Sequence, residues 1–307
     1  MDPQISAASA KPGRPVSTAA TTLEELVAPL TEAEFLGFLR ERKVVHLRSA
    51  NDGCYVPLAG WEALRRLIEH GEYPRGDYFK VTKESKLAPT RCWMSNGKVD
   101  TDRLEQCLAD GFSIIVTHIE EELPALRALC QSISVRLQET SYAGVVVSSG
   151  AEGAFRTHYD VEDLVILQVE GAKRWQMFGP PVSNPVRGMA AQSPPPGPPC
   201  FDEVLQPGDL LFVPAGHWHH CQTMSGKSIH LAIFLYAPTS WHATKALTSQ
   251  LLTDELFRAP LTRVGDVTQL EALEAEVKRR LIEKIGALRL REFPASVLPP
   301  EYLGNGS

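Results

Sequence analysis

The stretch PGDLLFVPAGHWHH, residues 207–220, holds a turn, an apolar run and a cluster of histidines in close succession. A Gly-Asp turn precedes residues 210–213, which have the length and composition of a buried strand. Proline and glycine then interrupt the strand. Because imidazole is a frequent metal ligand, the stretch predicts a β-rich fold with a metal site beside a buried strand. His219 is the preferred ligand, and His217 and His220 compete with it.

A second short motif, upstream of this stretch, supplies a carboxylate. His158-Tyr159-Asp160 places an imidazole and a carboxylate at positions i and i+2, which point to one face if the segment is a strand. Alone, such a triplet means little because it occurs by chance. Combined with His219, it gives the two-histidine, one-carboxylate set of non-haem Fe(II) sites, which leaves coordination positions open. We therefore predict that His158, Asp160 and His219 bind one metal ion.

A third motif, GAKRW at residues 171–175, closes one predicted strand and begins the next. A lysine near the base of a metal-holding barrel can anchor a dicarboxylate through a charge-assisted hydrogen bond. The same spacing is also typical of an exposed lysine in a surface hairpin. The motif therefore makes Lys173 a candidate for binding a small acid, and leaves the second interpretation open.

The segment from Tyr142 to Tyr236 favours a mainly β fold. Short apolar or β-branched runs alternate there with turn residues, which is typical of an antiparallel sandwich or barrel. A Pro- and Gly-rich stretch between Pro180 and Pro199 interrupts the pattern and predicts a surface loop or a lid at a site mouth. The predicted strands are residues 144–147, 163–169, 174–178, 209–213 and 229–236.

Helical patterns flank this β segment. On the N-terminal side, Thr31 and Glu34 form a capping box, and an amphipathic helix follows Pro124. On the C-terminal side, two helices occupy the region 241–307, and the apolar stripe of the second predicts a homodimer contact. Residues 1–22 are small, polar and proline-containing, which predicts a disordered tail. The domain proper is then expected at 23–240.

Composition excludes several classes of function. The chain has 307 residues, 43% of them hydrophobic, and a formal net charge of −6. An acidic chain without a basic cluster is a poor match for nucleic acid. No apolar run reaches the length of a membrane span and no secretion signal is evident. Six scattered cysteines without a CxxC motif indicate reduced thiols. We expect a cytoplasmic protein that binds neither nucleic acid nor a membrane.

Three segments together resemble the JmjC/cupin-type hydroxylases, most closely the branch of the ribosomal oxygenases. They are THYDVEDLVILQVEGAKRWQMF at 157–178, the stretch at 207–220, and SIHLAIFLYAPTSW at 228–241. The likeness in layout covers about residues 23–256 and is dense across 145–241. It implies a double-stranded β-helix (cupin or jelly-roll) core, with Fe(II) as cofactor and 2-oxoglutarate and O₂ as cosubstrates. It also implies hydroxylation of an amino-acid side chain in a protein or peptide.

Carried over by position, the resemblance makes His158, Asp160 and His219 the Fe(II) ligands. It pairs Lys173 with the C5 carboxylate of 2-oxoglutarate. The family's accessory polar positions, however, align with Gly144 and Phe234 here, and neither side chain can donate a hydrogen bond. Ser148, Thr157 and His230 are the candidates to replace them, and the sequence does not choose among these three.

The chain after Trp241 is long enough for the family's dimerisation helices and too short for its complete winged-helix domain. A ribosomal substrate is therefore less firmly implied than the chemistry. The alternatives are a hydroxylase of a small molecule or natural product and a metal-binding cupin without catalysis. Histone demethylation is the least favoured, since nothing in the sequence resembles a chromatin-binding module.

Overall fold

The computed structural model describes residues 5–8, 19–49, 51, 53–69, 78–150, 153–190, 192–224, 226–261 and 265–290. These residues fall into two compact units, which divide between Tyr236 and Ala237. Within these ranges, none of the helices combines the length and the apolar character that crossing a lipid bilayer requires.

The first unit contains all of the described strands. They are β1 Ile5–Ala8, β2 Val44–Leu47, β3 Phe79–Lys83, β4 Lys86–Leu87, β5 Met94–Ser95, β6 Lys98–Val99, β7 Ser113–Thr117, β8 Thr140–Ser149, β9 Asp163–Glu170, β10 Lys173–Phe178, β11 Pro199–Leu205, β12 Leu210–Val213, β13 Trp218–Thr223 and β14 Lys227–Tyr236. Its helices are α1 Leu23–Val27, α2 Glu32–Glu41, α3 Val56–Ala59, α4 Trp61–Glu69, α5 Thr101–Ala109 and α6 Pro124–Leu137.

Two sheets pack face to face in this unit. The larger has the order β1-β2-β12-β9-β14-β8-β7-β3-β4, and the smaller has the order β11-β10-β13. Apart from the parallel pair β1–β2, their neighbouring strands are antiparallel. This arrangement confirms the predicted double-stranded β-helix. One apolar cluster fills the space between the sheets: Val44, Leu164, Ile166, Trp175, Met177, Phe201, Leu205, Leu211, Val213 and Ala232.

The alternation of side chains along the central strands separates this interior from a second, larger core. On β9, Leu164 and Ile166 point between the sheets, whereas Val165 and Leu167 point to the opposite face, as the period of two requires. The helices of the first unit cover that opposite face, for example through Phe35 of α2. Burial on both faces explains why these strands are almost continuously apolar in sequence.

Local signals in the sequence are realised at the N-terminal helices. Thr31 caps α2 by accepting a hydrogen bond from the Glu34 amide, and the Glu34 carboxylate accepts one from the Thr31 amide at 2.8 Å.

The predicted tail is described only in part. Residues 1–4 and 9–18 lie outside the described residues, and Ile5–Ala8 forms a strand because β2 offers its edge for pairing. The expectation of disorder does not describe those four residues.

The second unit contains α7, Ser240–Leu251, and α8, Val267–Ala287. Asp266 caps α8 by accepting a hydrogen bond from the Gln269 amide at 2.8 Å. Arg280 of α8 binds the Asp254 carboxylate at 3.0 Å, which joins the helix to the turn after α7. No residue of α8 is buried, and its apolar side chains include the exposed Val267, Leu270, Ile282 and Ile285.

Candidate metal centre

A single β-bridge brings the two histidine motifs together. The His158 amide donates to the His219 carbonyl at 3.1 Å, and the His219 amide donates to the His158 carbonyl at 2.7 Å. His219 lies in β13, a strand that the sequence did not predict. His158 and Asp160 were expected on a strand, but outside this bridge their segment is irregular. The Asp160 carbonyl accepts a hydrogen bond from the Gly216 amide at 2.8 Å.

Both imidazoles present the same nitrogen to the centre. His158 Nδ1 lies 2.8 Å from the Arg156 carbonyl oxygen, and His219 Nδ1 lies 2.9 Å from the His217 carbonyl oxygen. Because a carbonyl only accepts, each Nδ1 carries the proton and each Nε2 offers its lone pair. A second contact of this kind is what orients metal-binding histidines in proteins.

The three predicted ligands converge on one point. Asp160 Oδ2 lies 3.9 Å from His158 Nε2 and 3.5 Å from His219 Nε2, and the three atoms lie within 4.8 Å of one another. Burial, followed by the nearby His158 imidazole, lowers the pKa of His219 to about 4. His219 is therefore neutral at physiological pH, as a metal ligand must be. Two imidazoles and one carboxylate fit a divalent cation.

The competing histidines face elsewhere. His217 places Nδ1 2.9 Å from the Pro214 carbonyl oxygen within the turn before β13. His220 follows His219 on β13, so its side chain points to the other face of the strand. Among the described residues, the group of possible metal ligands around Asp160 contains His158 and His219, and it contains neither His217 nor His220. This geometry supports the preference for His219.

The triad opens into a cavity that also contains Lys173. The cavity is lined by His158, Asp160 and His219 on one side and by Lys173, Ser148 and His230 on another. Lys173 is 2% exposed, which contradicts a lysine on a surface hairpin. Thr157, the other predicted cosubstrate residue, is partly exposed and is not among the described residues that line the cavity.

Lys173 is a buried cation whose contacts are polar and uncharged side chains among the described residues. Its ammonium group donates to Ser148 Oγ at 3.1 Å and to His230 Nδ1 at 3.0 Å. In the described part of the chain no carboxylate lies within ion-pair distance of it. Burial lowers its pKa to about 8, so it is still mostly protonated at neutral pH. An uncompensated buried charge is costly, and an anionic ligand would compensate it.

The two departures from the family pattern are explained by one contact. A Cβ atom on Gly144 would lie 3.2 Å from the Phe234 ring. The Phe234 ring stacks on Tyr142 with centroids 4.7 Å apart, and Tyr142 stacks on His118 at the same centroid distance. Gly144 therefore leaves room for Phe234 and its aromatic column. The cavity wall is apolar where the family pattern has polar side chains.

Two residues that line the cavity and can donate hydrogen bonds were not predicted as donors from the sequence. Trp175 Nε1 and Thr223 Oγ1 are buried and have no hydrogen-bond partner among the described residues. Strand alternation could have found Thr223, since His219, Cys221 and Thr223 occupy positions i, i+2 and i+4 of β13 and share the inner face. Trp175 also stacks on the His219 ring, with centroids 5.4 Å apart.

Part of this chain is similar to a known domain family. The sheets and the triad define a double-stranded β-helix domain with the ligand set of a non-haem metal site. Residues 119–243 match the sequence profile of the JmjC domain. The chain carries a JmjC domain and resembles the ribosomal oxygenase branch of that family.

Two named relatives illustrate the resemblance. The bifunctional lysine-specific demethylase and histidyl-hydroxylase NO66 of Drosophila persimilis is 27% identical over 237 residues, which cover 72% of this chain and 32% of the relative. Ribosomal oxygenase 2 of Rattus norvegicus is 38% identical over 202 residues, which cover 56% of this chain and 43% of the relative. The chain thus spans less than half the length of either protein.

Solved structures share the fold. Escherichia coli ycfD superposes with a TM-score of 0.55 at 17% identity, over 83% of this chain and 68% of that chain. YcfD in complex with cobalt and 2-oxoglutarate gives a TM-score of 0.52 at the same identity, over 84% and 69% of the two chains. At this level of identity the likeness establishes the fold.

Proposed function

We propose that this protein is an Fe(II)- and 2-oxoglutarate-dependent oxygenase that hydroxylates an amino-acid side chain in a protein or peptide. One observation carries the proposal. A single cavity holds a triad of two imidazoles and one carboxylate together with a buried lysine that pairs with no carboxylate of the described residues. A metal ion satisfies the first group, and the distal carboxylate of a 2-oxo acid satisfies the second.

Each residue has a defined task in this proposal. His158, Asp160 and His219 would hold Fe(II) through three positions, which leaves the others for the 2-oxo acid and O₂. Lys173 would fix the C5 carboxylate and so orient the 2-oxo group toward the metal. Bound together, iron and 2-oxoglutarate supply the oxidation in which O₂ delivers one oxygen atom to a substrate C–H bond and the other to succinate, with release of CO₂.

The cavity walls would protect this chemistry from water. Leu164, Ile166 and Phe234 line the space between the sheets, and an apolar enclosure limits side reactions at an oxidising centre. The His158 side chain is partly exposed, whereas His219 is buried. The side of the triad near His158 is therefore the one that a substrate side chain can approach from solvent.

The names of the relatives support a protein substrate. One is a histidyl-hydroxylase and lysine-specific demethylase, and the other is a ribosomal oxygenase. We propose hydroxylation rather than demethylation because ribosomal oxygenase 2 is 38% identical to this chain, whereas the bifunctional NO66 is 27% identical. A ribosomal protein is then the first substrate to examine.

The experiment is a turnover assay with the full chain, Fe(II), 2-oxoglutarate and O₂. Ribosomal-protein peptides, methylated histone peptides and free amino acids are compared, with succinate and substrate mass as readouts. Succinate release with a mass gain of one oxygen atom on a peptide supports the proposal. Loss of a methyl group would establish a demethylase. Turnover restricted to small molecules would contradict a peptide substrate, and metal binding without succinate would establish a non-catalytic cupin.

We also propose a homodimer formed through α8. In the apolar stripe predicted from the sequence, Leu270 is exposed, and Leu273, Val277 and Leu281 are partly exposed. No residue of α8 is buried, and apolar stripes that remain accessible are typical of interfaces. Light scattering should give twice the chain mass, and a monomer at every concentration would contradict the proposal. Six scattered cysteines without a CxxC motif support the proposal of a cytoplasmic location.

A further inference from the structure

The cavity is lined by a buried hydroxyl group that lacks a hydrogen-bond partner among the described residues. Thr223 is 5% exposed, lines the cavity, and its Oγ1 forms no hydrogen bond with any described residue. Leaving a buried hydroxyl unpaired costs about 1–3 kcal/mol. Buried polar groups of this kind are rare in folded proteins and call for a specific explanation.

Thr223 stands directly beside the buried lysine. In the β10–β13 pair, Lys173 is the register partner of Thr223, and both side chains point into the cavity. Directly opposite residues of an antiparallel pair have Cβ atoms about 4.5–5.5 Å apart. A group held by the Lys173 ammonium is therefore within reach of the Thr223 hydroxyl.

The other polar groups nearby are also donors. Ser148 Oγ accepts hydrogen bonds from Ser113 and from Lys173, which leaves its own proton to donate. His230 Nδ1 accepts from Lys173, so its proton is on Nε2. Trp175 Nε1 can only donate and is unpaired among the described residues. A cluster of donors around one cation is complementary to a carboxylate.

We propose that Thr223 is a binding residue for the distal carboxylate of 2-oxoglutarate, to which its hydroxyl donates the second direct hydrogen bond beside Lys173. This inference rests on the proposed function. Thr223 would take the place of the polar contacts that Gly144 and Phe234 cannot make. Ser148 of β8 and His230 of β14 remain polar groups of the pocket, and Thr223 would add a direct contact from β13.

The inference predicts that one substitution maintains or raises the melting temperature and lowers the affinity for 2-oxoglutarate. Thr223→Val has nearly the same shape and lacks the hydroxyl. Without ligand, the variant loses an unpaired buried hydroxyl, so its melting temperature should equal or exceed that of the wild type. With 2-oxoglutarate, it loses a hydrogen bond to a charged group, so its affinity should fall about ten-fold.

The experiment measures binding by calorimetry without O₂, using Mn(II) in place of Fe(II). The ligands are 2-oxoglutarate and 2-oxopentanoate, which has a methyl group in place of the distal carboxylate. Thr223→Val should weaken 2-oxoglutarate and leave 2-oxopentanoate unchanged, and Thr223→Ser should bind both acids as the wild type does. Thr82→Val is the matched control, because Thr82 is equally buried and donates to the Lys86 carbonyl away from the cavity.

The control should melt at a lower temperature and bind 2-oxoglutarate normally. Equal 2-oxoglutarate affinity for the wild type and Thr223→Val would overturn the inference and leave the proposed function standing. A drop in melting temperature for Thr223→Val as large as that of the control, or a failure to fold, would also overturn it, because the hydroxyl would then have a structural partner. If the wild type itself fails to bind 2-oxoglutarate, the proposed function is wrong and the inference falls with it.

Discussion

The metal end and the lysine end of the cavity are built in different ways. At the metal end, one β-bridge joins His158 to His219, and all three ligands come from two short motifs. At the lysine end, four different strands contribute Lys173, Ser148, Thr223 and His230. The first arrangement is local and repeats the family pattern. The second depends on how distant strands align, and it departs from that pattern.

This difference shows where a site can change without losing its chemistry. Metal geometry tolerates little variation, because ligand distances must hold within a few tenths of an ångström. A carboxylate can be met by any donor that reaches it, from whichever strand supplies it. We therefore expect substitutions at the metal end to abolish metal binding. Substitutions at the lysine end should weaken 2-oxoglutarate binding in graded steps.

The largest effect is expected for Asp160→Ala. It removes the carboxylate ligand of the triad and leaves two imidazoles, so the variant should contain no bound metal after purification and dialysis. Metal content and turnover are the measurements. Asp202→Ala removes a carboxylate on β11 that pairs with Arg174 outside the cavity and should bind metal normally. Full metal occupancy in Asp160→Ala would show that the triad is wrong.

A pair of adjacent substitutions tests the assignment of the third ligand. His219→Ala should lower metal affinity by more than the roughly 10–100-fold typical of an outer-sphere change, whereas His220→Ala should leave it nearly unchanged, because the two side chains lie on opposite faces of β13. Titration with Mn(II) measures both. In metal-bound coordinates, His219 Nε2 should lie about 2.0–2.3 Å from the ion. A bond from His217 or His220 instead would refute the assignment.

The sequence predicted which three residues meet at the metal end, but it did not predict β13, the strand that carries His219, and it predicted the lysine end in part. The turn, the buried strand and the histidines at 207–220 are local features, and so is the helix cap at Thr31. Lys173 followed from the family pattern. The choice among Ser148, Thr157 and His230 depended on which strands face the lysine, and no local pattern encodes that. Thr223 was missed because β13 was interpreted as a break after the buried strand rather than as a strand of its own.

Lys173 is the next test of the comparison. Lys173→Ala should weaken 2-oxoglutarate about ten- to a hundred-fold, because a hydrogen bond between charged groups is lost, and Fe(II) should remain bound. Lys173→Arg should restore part of the affinity, since it keeps the charge and can pair with a carboxylate through two bonds. Titration of 2-oxoglutarate with succinate release as readout compares the variants. An unchanged titration curve for Lys173→Ala would place the cosubstrate elsewhere.

The smallest effect is expected at a buried carboxylate near the turn that carries the metal ligands. Glu139 precedes β8, and its Oε2 is buried without a hydrogen-bond partner among the described residues. Burial, and then the neighbouring Asp163, raise the pKa of Glu139 from 4.5 to about 7. Asp163 in turn accepts a hydrogen bond from the Ala215 amide at 2.6 Å, one residue before the Gly216 amide that holds Asp160.

A raised pKa in the folded state means that folding favours the protonated carboxyl of Glu139. The stability that this protonated form contributes is therefore complete below pH 4.5 and is lost as the pH rises through 7. Glu139→Gln cannot ionise, so over this window the free energy of unfolding of the wild type should fall relative to the variant, by at most about 3 kcal/mol. Denaturant unfolding between these pH values measures the difference, and Glu271→Gln, at an exposed position of α8, is the control. Parallel pH profiles for wild type and Glu139→Gln would show that Glu139 ionises freely. A free energy of unfolding that falls for the wild type relative to Glu139→Gln between pH 4.5 and 7 would show that ionisation of Glu139 destabilises the fold beside Asp163. It would add a negative group to the positive Lys173 among the charges that burial disfavours.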